Sequence, residues 1–579
     1  MDIIFKYLSD KYLIMAFLTK LRHFRDCREN SKIYDIYYNE KVNEDIVYLE
    51  SRNGKDFTGN IFRIAEELST GKYGNLKIYV YANDEVKAKI IDFQKNYNLN
   101  IYKIITGENR ACRILQKAKY IFTDSGFNRK FIKKPDQIIL NTWHGTPLKL
   151  MGFDNAVEQT SIGIIQRSFF FSDYLLYPNF YMKDKMLKSF MFEKICPSKI
   201  LLEGYPRNSV FLTDNRPIKE KLGLTDKEVF VYMPTFRGSA NDRNDELQKI
   251  DVNNFLEKID ANLNDNQVLF VKFHPYSQLR IDFTNFKFIK PFPTMYENYD
   301  VLNAADCLIT DYSSVFFDFA TTRRKIIIFN YDEEEYLADR GFYFGLDELP
   351  FPKVQSVDQL ISELNADKNY DDSEFFKDYC SFEDVDSVTR ICETIINGEN
   401  KCHYEIIENT NKNILVYADG LKDNDTTNSL IEWLNSLDKT KYNIFVSFKP
   451  WDENIKANHI NILKRIPRGV EVLPLADNIK PTISEKLNLD KFLKNTKDEK
   501  LYESIKQLFE KSFKNHFADF KFDLIVDFNS RDTVESLIFA NSHSETVILI
   551  DENSNSNIYN KFDNVCKTIE KLDSILDSL

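Results

Sequence analysis

Two histidines in this sequence follow apolar segments, and at such positions a side chain can accept a proton or bind a phosphate. His144 follows residues 138–141 and precedes a glycine. Because the imidazole pKa lies near neutrality, a histidine on such a turn can take a proton from a hydroxyl group. His274 follows residues 268–273 and precedes Pro275, and its ring could hydrogen-bond a phosphate oxygen. Either ring could instead be satisfied within its own turn.

Two serines and an arginine add groups that can bind anions. Ser313 and Ser314 stand at the start of a predicted helix, where free backbone N–H groups and the helix dipole attract anions. Helix capping is the simpler interpretation of this pair, and it is compatible with phosphate binding. Asp318 lies one helical turn further and could reach ligand hydroxyls. Arg237 follows the apolar segment 229–233, and its planar guanidinium suits a diphosphate.

The elements that must position these groups are short, continuous apolar segments separated by helical patterns. Such segments are typical of parallel strands buried on both faces, and the alternation indicates βαβ units in doubly wound sheets. The strands are predicted at 46–49, 78–81, 101–105, 120–123, 138–141, 175–177, 229–233, 268–273, 307–310, 326–329, 414–418, 444–448, 470–473, 524–528 and 547–550. Because ligands bind beyond the carboxyl ends of such strands, we expect the polar clusters to meet in one cleft.

The chain is predicted to have four parts. They are an amphipathic N-terminal helix (1–29), an acceptor-side Rossmann-like domain (30–205), a donor-binding Rossmann-like domain (206–400) and a further α/β domain (413–579). The turn Gly204-Tyr205-Pro206 marks the second boundary, and the polar segment 397–412 marks the third.

Composition excludes several classes of function. A net charge of −12 gives no basic footprint for nucleic acid. The eight cysteines lack CxxC spacing, which indicates a reducing compartment with neither a disulfide scaffold nor a zinc site. No apolar run reaches the roughly 18 residues of a membrane span, and no signal-peptide pattern is present. Residues 3–25 are predicted to form a helix that ends in a basic turn, and this helix either packs on the protein or rests on an anionic membrane surface.

Taken in order, the motifs resemble the CDP-glycerol glycerophosphotransferase family, whose members build teichoic acids and some capsules. The resemblance rests on Trp143-His144-Gly145-Thr146-Pro147-Leu148-Lys149, Pro234-Thr235-Phe236-Arg237-Gly238, His274-Pro275 and Asp311-Tyr312-Ser313-Ser314. Supporting segments are Asn53-Gly54-Lys55, Gly152-Phe153-Asp154 and Arg340-Gly341-Phe342-Tyr343. The resemblance covers about residues 45–395 and implies a GT-B-like fold, in which two Rossmann-like domains enclose the site.

The resemblance also implies a role for each candidate residue. His144 would take the proton from the acceptor hydroxyl, and Asp318 would meet polyol or ribose hydroxyls. The donor diphosphate would be held by Arg237, His274, Ser313 and Ser314. The acceptor would attack the phosphorus that carries the glycerol, and CMP would leave.

The implied partners are a CDP-glycerol or CDP-ribitol donor and a lipid-linked or polymeric hydroxyl acceptor. The protein would then be cytoplasmic and peripherally associated with the inner face of the cell membrane. We expect no cofactor, no metal ion and no nucleic-acid partner.

Residues 413–579 fall outside this resemblance. The segment 414–420 and the helix after it are similar to the amino-terminal domain of retaining GT-B glycosyltransferases. Asp423-Asn424-Asp425 spells a nucleotide-sugar signature of other folds, although a solvated loop is the simpler interpretation. Because every assigned motif lies before residue 400, we expect removal of 413–579 to leave the chemistry intact but to alter acceptor use or assembly. The alternative is that the helices of this segment pack on residues 206–400 and complete the fold.

Two other functions stay open at this point. A CMP-dependent glycosyltransferase, such as a bacterial sialyltransferase, also uses a His-Pro pair and paired serines. Such enzymes do not normally carry the Trp-His-Gly-Thr-Pro element, so they fit less well. A non-catalytic scaffold of a wall-polymer complex is the second alternative, and intact His144, His274, Ser313 and Ser314 argue against it.

Overall fold

The computed structural model describes Thr19 and residues 21–235, 252–273, 281–339, 341–450, 456–528, 532–550 and 558–579. Of the predicted N-terminal helix, residues 21–31 are helical, and residues 1–18 and 20 lie outside the described residues. Arg237 and His274, both predicted to hold the donor, also lie outside them. None of the described helices is long and apolar enough to cross a membrane.

The strands confirm the predicted α/β class with parallel sheets. In chain order they are β1 (Asn43–Glu50), β2 (Lys77–Tyr81), β3 (Ile101–Ile105), β4 (Ala118–Thr123), β5 (Ile138–Asn141), β6 (Tyr174–Tyr177), β7 (Lys199–Leu202), β8 (Glu228–Tyr232), β9 (Gln267–Val271), β10 (Ile289–Pro291), β11 (Cys307–Thr310), β12 (Lys325–Phe329), β13 (Lys353–Val354), β14 (Tyr404–Glu405), β15 (Lys412–Tyr417), β16 (Tyr442–Ser447), β17 (Val470–Val472), β18 (Leu524–Phe528), β19 (Glu545–Leu549) and β20 (Asn564–Cys566).

Helices connect most of these strands. They are α1 (Gly59–Leu68), α2 (Asp84–Asn96), α3 (Glu108–Leu115), α4 (Gly163–Phe171), α5 (Phe180–Ser189), α6 (Arg216–Lys221), α7 (Val252–Asp260), α8 (Asn298–Asn303), α9 (Val315–Phe319), α10 (Glu333–Asp339), α11 (Val357–Leu364), α12 (Ser373–Tyr379), α13 (Ser387–Ile396), α14 (Asp425–Ser436), α15 (Lys456–Leu463), α16 (Ile483–Phe492), α17 (Glu499–Phe517), α18 (Thr533–Ala540) and α19 (Ile569–Leu576).

The strands form three sheets with one winding pattern. The first runs β3-β2-β1-β4-β5-β6-β7-β14, the second β10-β9-β8-β11-β12-β13, and the third β17-β16-β15-β18-β19-β20. Every pairing is parallel except that of β14 with β7. In each sheet the order reverses beside the first strand, which is the place where doubly wound sheets bind ligands.

All fifteen strands predicted from sequence are present. The prediction missed β7, β10, β13, β14 and β20. Four of these five are the outer strands of their sheets, and they span only two or three residues. A strand this short at a sheet edge leaves little apolar pattern to detect.

Ion pairs across the cleft connect the first and second sheets. The Glu297 carboxylate accepts a hydrogen bond from the Gly59 N–H at 2.9 Å, at the start of α1. Arg63 of the same helix pairs with Asp300 at 2.5 Å, and the Tyr97 hydroxyl donates to the other Asp300 oxygen. These contacts join α1 and Tyr97, beside the first sheet, to the start of α8, beside the second.

The third sheet shares one hydrophobic core with the first. Arg167 of α4 is buried, and its Nε donates to the Asn515 carbonyl at 2.7 Å. The Gln166 amide donates to the Val472 carbonyl at 2.8 Å, and the Phe170 ring packs on Phe517. Residues 413–579 therefore cover part of the first sheet's core, which favours the alternative that they complete the fold.

Candidate active site

A cavity of about 240 Å³ lies between the carboxyl ends of the first and second sheets. His144 lines it from residues 30–205, and Arg207, Ser313, Ser314 and Asp318 line it from residues 206–400. The structure therefore brings together every predicted site residue that it describes. The positions of Arg237 and His274 are not among those described.

His144 is held by its neighbours on a strained turn. The preceding residue, Trp143, has φ of 51°, a left-handed conformation that non-glycine residues adopt rarely. The His144 ring stacks on the Trp143 ring with centroids 4.6 Å apart. Its Nδ1 lies 2.8 Å from the main-chain oxygen of Asp124, so Nδ1 carries the proton and donates it there. Nε2 is then the nitrogen left to act as a base.

Electrostatics keep this imidazole neutral. Burial, helped by the nearby Arg52 guanidinium, lowers the pKa of His144 to about 4. A ring with this pKa is unprotonated at neutral pH, which is the form a general base requires.

Ser314, at the start of α9, lies close to Gly145, the residue after His144. It is the N-cap residue of α9, yet its side chain makes no capping hydrogen bond. A Cβ atom added at Gly145 would lie 2.7 Å from the Ser314 Oγ, so a larger residue there would displace this hydroxyl. Ser313 Oγ accepts a long hydrogen bond from the Val315 N–H at 3.4 Å. The capping interpretation therefore does not account for the Ser314 hydroxyl.

Asp318 is buried and hydrogen-bonded to protein groups. Arg207 contacts both carboxylate oxygens at 3.1 and 2.8 Å. Asn208 donates to Oδ1 at 3.2 Å, and the Tyr299 hydroxyl donates to Oδ2 at 2.9 Å. A ligand hydroxyl would have to share these oxygens with protein donors, so contact with ligand hydroxyls stays a prediction for Asp318.

Arg207 is a cavity residue that sequence reasoning missed. It follows the turn Gly204-Tyr205-Pro206, whose sequence indicates only a domain boundary. Besides pairing with Asp318, its guanidinium donates to the His144 carbonyl at 3.0 Å. Its pKa is raised by the Asp318 carboxylate, so it is a permanent cation at the cavity wall.

Lys272 is a second missed cation. It lines the cavity just past the carboxyl end of β9, two residues before His274. Burial lowers the pKa of Lys272 to about 8. Its position in the strand that leads to the His-Pro pair was the signal that could have identified it.

Asp124 organises the cavity wall beneath His144. Its Oδ2 accepts from the Ser51 hydroxyl at 2.6 Å, and its Oδ1 accepts from the Arg52 N–H at 2.7 Å. Arg52 and Asn53 both have positive φ, at 47° and 55°. Asp124 thus anchors both a strained loop and, through its main chain, the His144 ring.

Residues 148–150, shortly after His144, lie beside residues 341–343. The Leu150 N–H donates to the Gly341 carbonyl at 2.9 Å, and the Tyr343 N–H donates to Leu148 at 2.9 Å. The Tyr343 hydroxyl donates to the Asp154 carboxylate at 2.9 Å. The loop after His144 is therefore tied to the second part of the chain.

Known proteins match the same part of the chain. A profile of the family described as CDP-Glycerol:Poly(glycerophosphate) glycerophosphotransferase matches residues 32–397. A teichoic acid poly(glycerol phosphate) polymerase of Bacillus spizizenii is 28% identical over 375 residues, which cover 61% of this chain and 92% of that protein. A teichoic acid glycerol-phosphate transferase of Staphylococcus aureus is 29% identical over 385 residues, covering 61% and 93%.

A solved structure is similar as well. The wall teichoic acid polymerase TagF aligns with a TM-score of 0.55 and 23% identity, over 66% of this chain and 98% of that chain. This likeness supports the α/β fold with parallel sheets. The profile covers well over half of the 579 residues, and the chain belongs to the CDP-glycerol:poly(glycerophosphate) glycerophosphotransferase family.

Proposed function

We propose that this chain transfers glycerol phosphate, or a related polyol phosphate, from a CDP-activated donor to a hydroxyl acceptor and releases CMP. The observation that carries the proposal is a neutral His144 on the cavity wall, opposite the hydroxyls of Ser313 and Ser314. Two relatives are named for glycerol phosphate, so CDP-glycerol is the first donor to test.

In this mechanism His144 Nε2 takes the proton from the acceptor hydroxyl as its oxygen attacks the phosphorus that carries the glycerol. The bond from that phosphorus to the CMP oxygen breaks, and CMP leaves. Negative charge builds on phosphate oxygens, so fixed donors aimed at them supply most of the stabilisation. The proposed donors are Ser313, Ser314, Arg237 and His274, with Arg207 and Lys272 added from the cavity wall.

The division into an acceptor-side part (30–205) and a donor-side part (206–400), with a GT-B-like cleft between them, belongs to the same proposal. His144 stands on the acceptor side and the serine pair on the donor side. The absence of a metal requirement stays a prediction, and adding EDTA to the same assay tests it. Loss of activity that magnesium restores would contradict it.

The neutral state of His144 predicts the pH dependence of the reaction. A base with pKa about 4 stays unprotonated until the pH falls to that value, so kcat/KM should be flat from about pH 7, where Lys272 is still charged, to about 5.5. Initial rates of CMP release across this range test the prediction, with the melting temperature measured at each pH. An inflection near 6.5, where the protein is still folded, would show an ordinary histidine pKa instead.

Replacing Ser313 and Ser314 together by alanine should weaken donor binding. Hydrogen bonds to charged groups contribute about 1.5–3 kcal/mol each, so we expect at least about a tenfold rise in the CDP-glycerol Kd. Calorimetric titration measures it, and Ser356→Ala, at the cap of the distant α11, is the matched control. His274→Ala should act in the same direction. Unchanged affinity in the double variant would leave helix capping as the only role of the pair.

We also propose that the N-terminal segment rests on the inner face of the cell membrane. Leu21 and Phe24 are 50% and 58% exposed, beside exposed Arg22, Arg25 and Arg28. Exposed apolar groups flanked by cations are what an anionic bilayer surface binds. Full-length protein should co-sediment with anionic vesicles in a salt-sensitive manner, and a version lacking residues 1–28 should not. Equal binding by both would place the contact elsewhere.

Parallel assays with different donors test the proposed function. CDP-glycerol, CDP-ribitol and CMP-sialic acid are incubated separately with candidate acceptors, and CMP release is followed. We expect acceptor-dependent release from a CDP-polyol only. Release from CMP-sialic acid alone would favour a sialyltransferase, and release from none would favour a scaffold.

A further inference from the structure

A row of buried polar side chains crosses the centre of the third sheet. Ser447, Tyr417 and Asp527 pair across β16, β15 and β18, and each is fully buried. Paired residues of parallel strands point to the same face of the sheet. That face is the one covered by α18, because the Tyr417 ring packs on Phe539 at 4.5 Å. The row lies at the carboxyl ends of the strands, where the strand order reverses.

Four oxygen atoms in this place have no hydrogen-bond partner. They are Tyr417 Oη, Ser447 Oγ, Glu535 Oε2 and Ser536 Oγ. Each of these four residues is at most 4% exposed. Leaving such a group unsatisfied costs about 1–3 kcal/mol, and folded proteins leave few of them. Their concentration between α18 and the sheet indicates that another molecule completes their hydrogen bonds.

The charge of the surroundings restricts what that molecule can be. The Lys449 ammonium lies 2.6 Å from Glu535 and 3.3 Å from Asp532. Asp419 and Asp527 add two further carboxyl groups, and both act on the Tyr417 hydroxyl electrostatically. Lys422 acts on Asp419 as well, so four acidic groups face two lysines, and this excess of negative charge disfavours phosphates and nucleotides. Among the residues that the structure describes, no group of three potential ligands could hold a metal ion.

A neutral molecule with many hydroxyls matches both observations. Each of its hydroxyls can donate to a carboxylate and also accept from a tyrosine or serine hydroxyl. Asp419 and Lys449 are only partly buried, so the cluster extends from the buried row towards the surface. In doubly wound sheets this edge is where ligands bind.

We propose that the carboxyl edge of the third sheet is a second binding site, which takes a neutral, hydroxyl-rich molecule of the saccharide or polyol class. The phenol of Tyr417 and the free oxygen of Glu535 bind its hydroxyls. The site is separate from the cavity at His144, and it does not depend on the function proposed for that cavity.

Ligand-observed NMR on the full chain tests the site, with glucose, galactose, N-acetylglucosamine and glycerol as probes. At least one probe should bind with a millimolar Kd, and Tyr417→Phe and Glu535→Gln should each weaken it at least fivefold. Tyr177→Phe is the matched control, because that hydroxyl is also buried without a partner but lies in the first sheet. It should leave probe binding unchanged.

Thermal stability distinguishes a ligand-binding role of the Tyr417 hydroxyl from a structural role. Tyr417→Phe keeps the ring on Phe539 and removes only the unpartnered oxygen, so without probe its melting temperature should equal or exceed that of the parent protein. A fall of several degrees would show a structural partner for the hydroxyl and overturn the proposal. So would the failure of every probe to bind, equal probe binding by Tyr417→Phe, or binding of inorganic phosphate that Tyr417→Phe abolishes.

Discussion

His144→Ala should reduce turnover by about 10²–10⁴-fold, the usual range for loss of a general base, while donor binding is retained. The base acts on the acceptor hydroxyl, so its loss affects the chemical step and not the hold on the diphosphate. Rates of CMP release at saturating CDP-glycerol, together with calorimetric Kd values, separate the two effects.

The exposed His403 provides the control for this experiment. His403→Ala should have normal turnover and normal donor affinity. A His144→Ala enzyme with near-normal turnover would remove this residue from the mechanism. A parallel loss of donor affinity would instead place the ring against the donor.

Removing residues 413–579 should prevent the rest of the chain from folding cooperatively. Truncation would expose the core that α4 shares with the third sheet and would leave the buried Arg167 without its Asn515 partner. We expect residues 1–412 to be insoluble, or soluble without a cooperative thermal transition.

A single substitution at the same interface separates this effect from non-specific damage. A Cβ at Gly163 would overlap the Pro474 carbonyl oxygen, and backbone cannot move aside as a side chain can. Gly163→Ala should therefore cost about 1–3 kcal/mol and lower the melting temperature. At Gly420 the nearest atom to an added Cβ belongs to the flexible Lys422 side chain, so Gly420→Ala is the control. If residues 1–412 folded cooperatively and released CMP normally, the shared core would be unimportant.

The sequence predicts the strands well because each central strand is buried on both faces. For example, the strand predicted at 307–310 has the same first and last residues as the observed strand Cys307–Thr310. It also places His144, Ser313 and Ser314 in one cleft, since all three follow strands whose carboxyl ends meet there.

What a local pattern cannot show is which distant element a side chain meets. Arg207 and Asp318 are 111 residues apart, and neither has a neighbour in sequence that reveals their pairing. Likewise, the apolar face of α4 predicts burial but not that the covering surface comes from residues after 413. The structure shows both the pairing of Arg207 with Asp318 and the packing of the third sheet's residues on α4.

Phosphorus NMR of the reaction products tests the proposed transfer most directly. The protein is incubated with CDP-glycerol and a hydroxyl acceptor, and the ³¹P spectrum is followed as CMP appears. Transfer predicts a new phosphodiester signal in the acceptor product, growing in step with CMP. Consumption of CDP-glycerol to CMP and free glycerol phosphate, a phosphomonoester, with no diester formed, would contradict it.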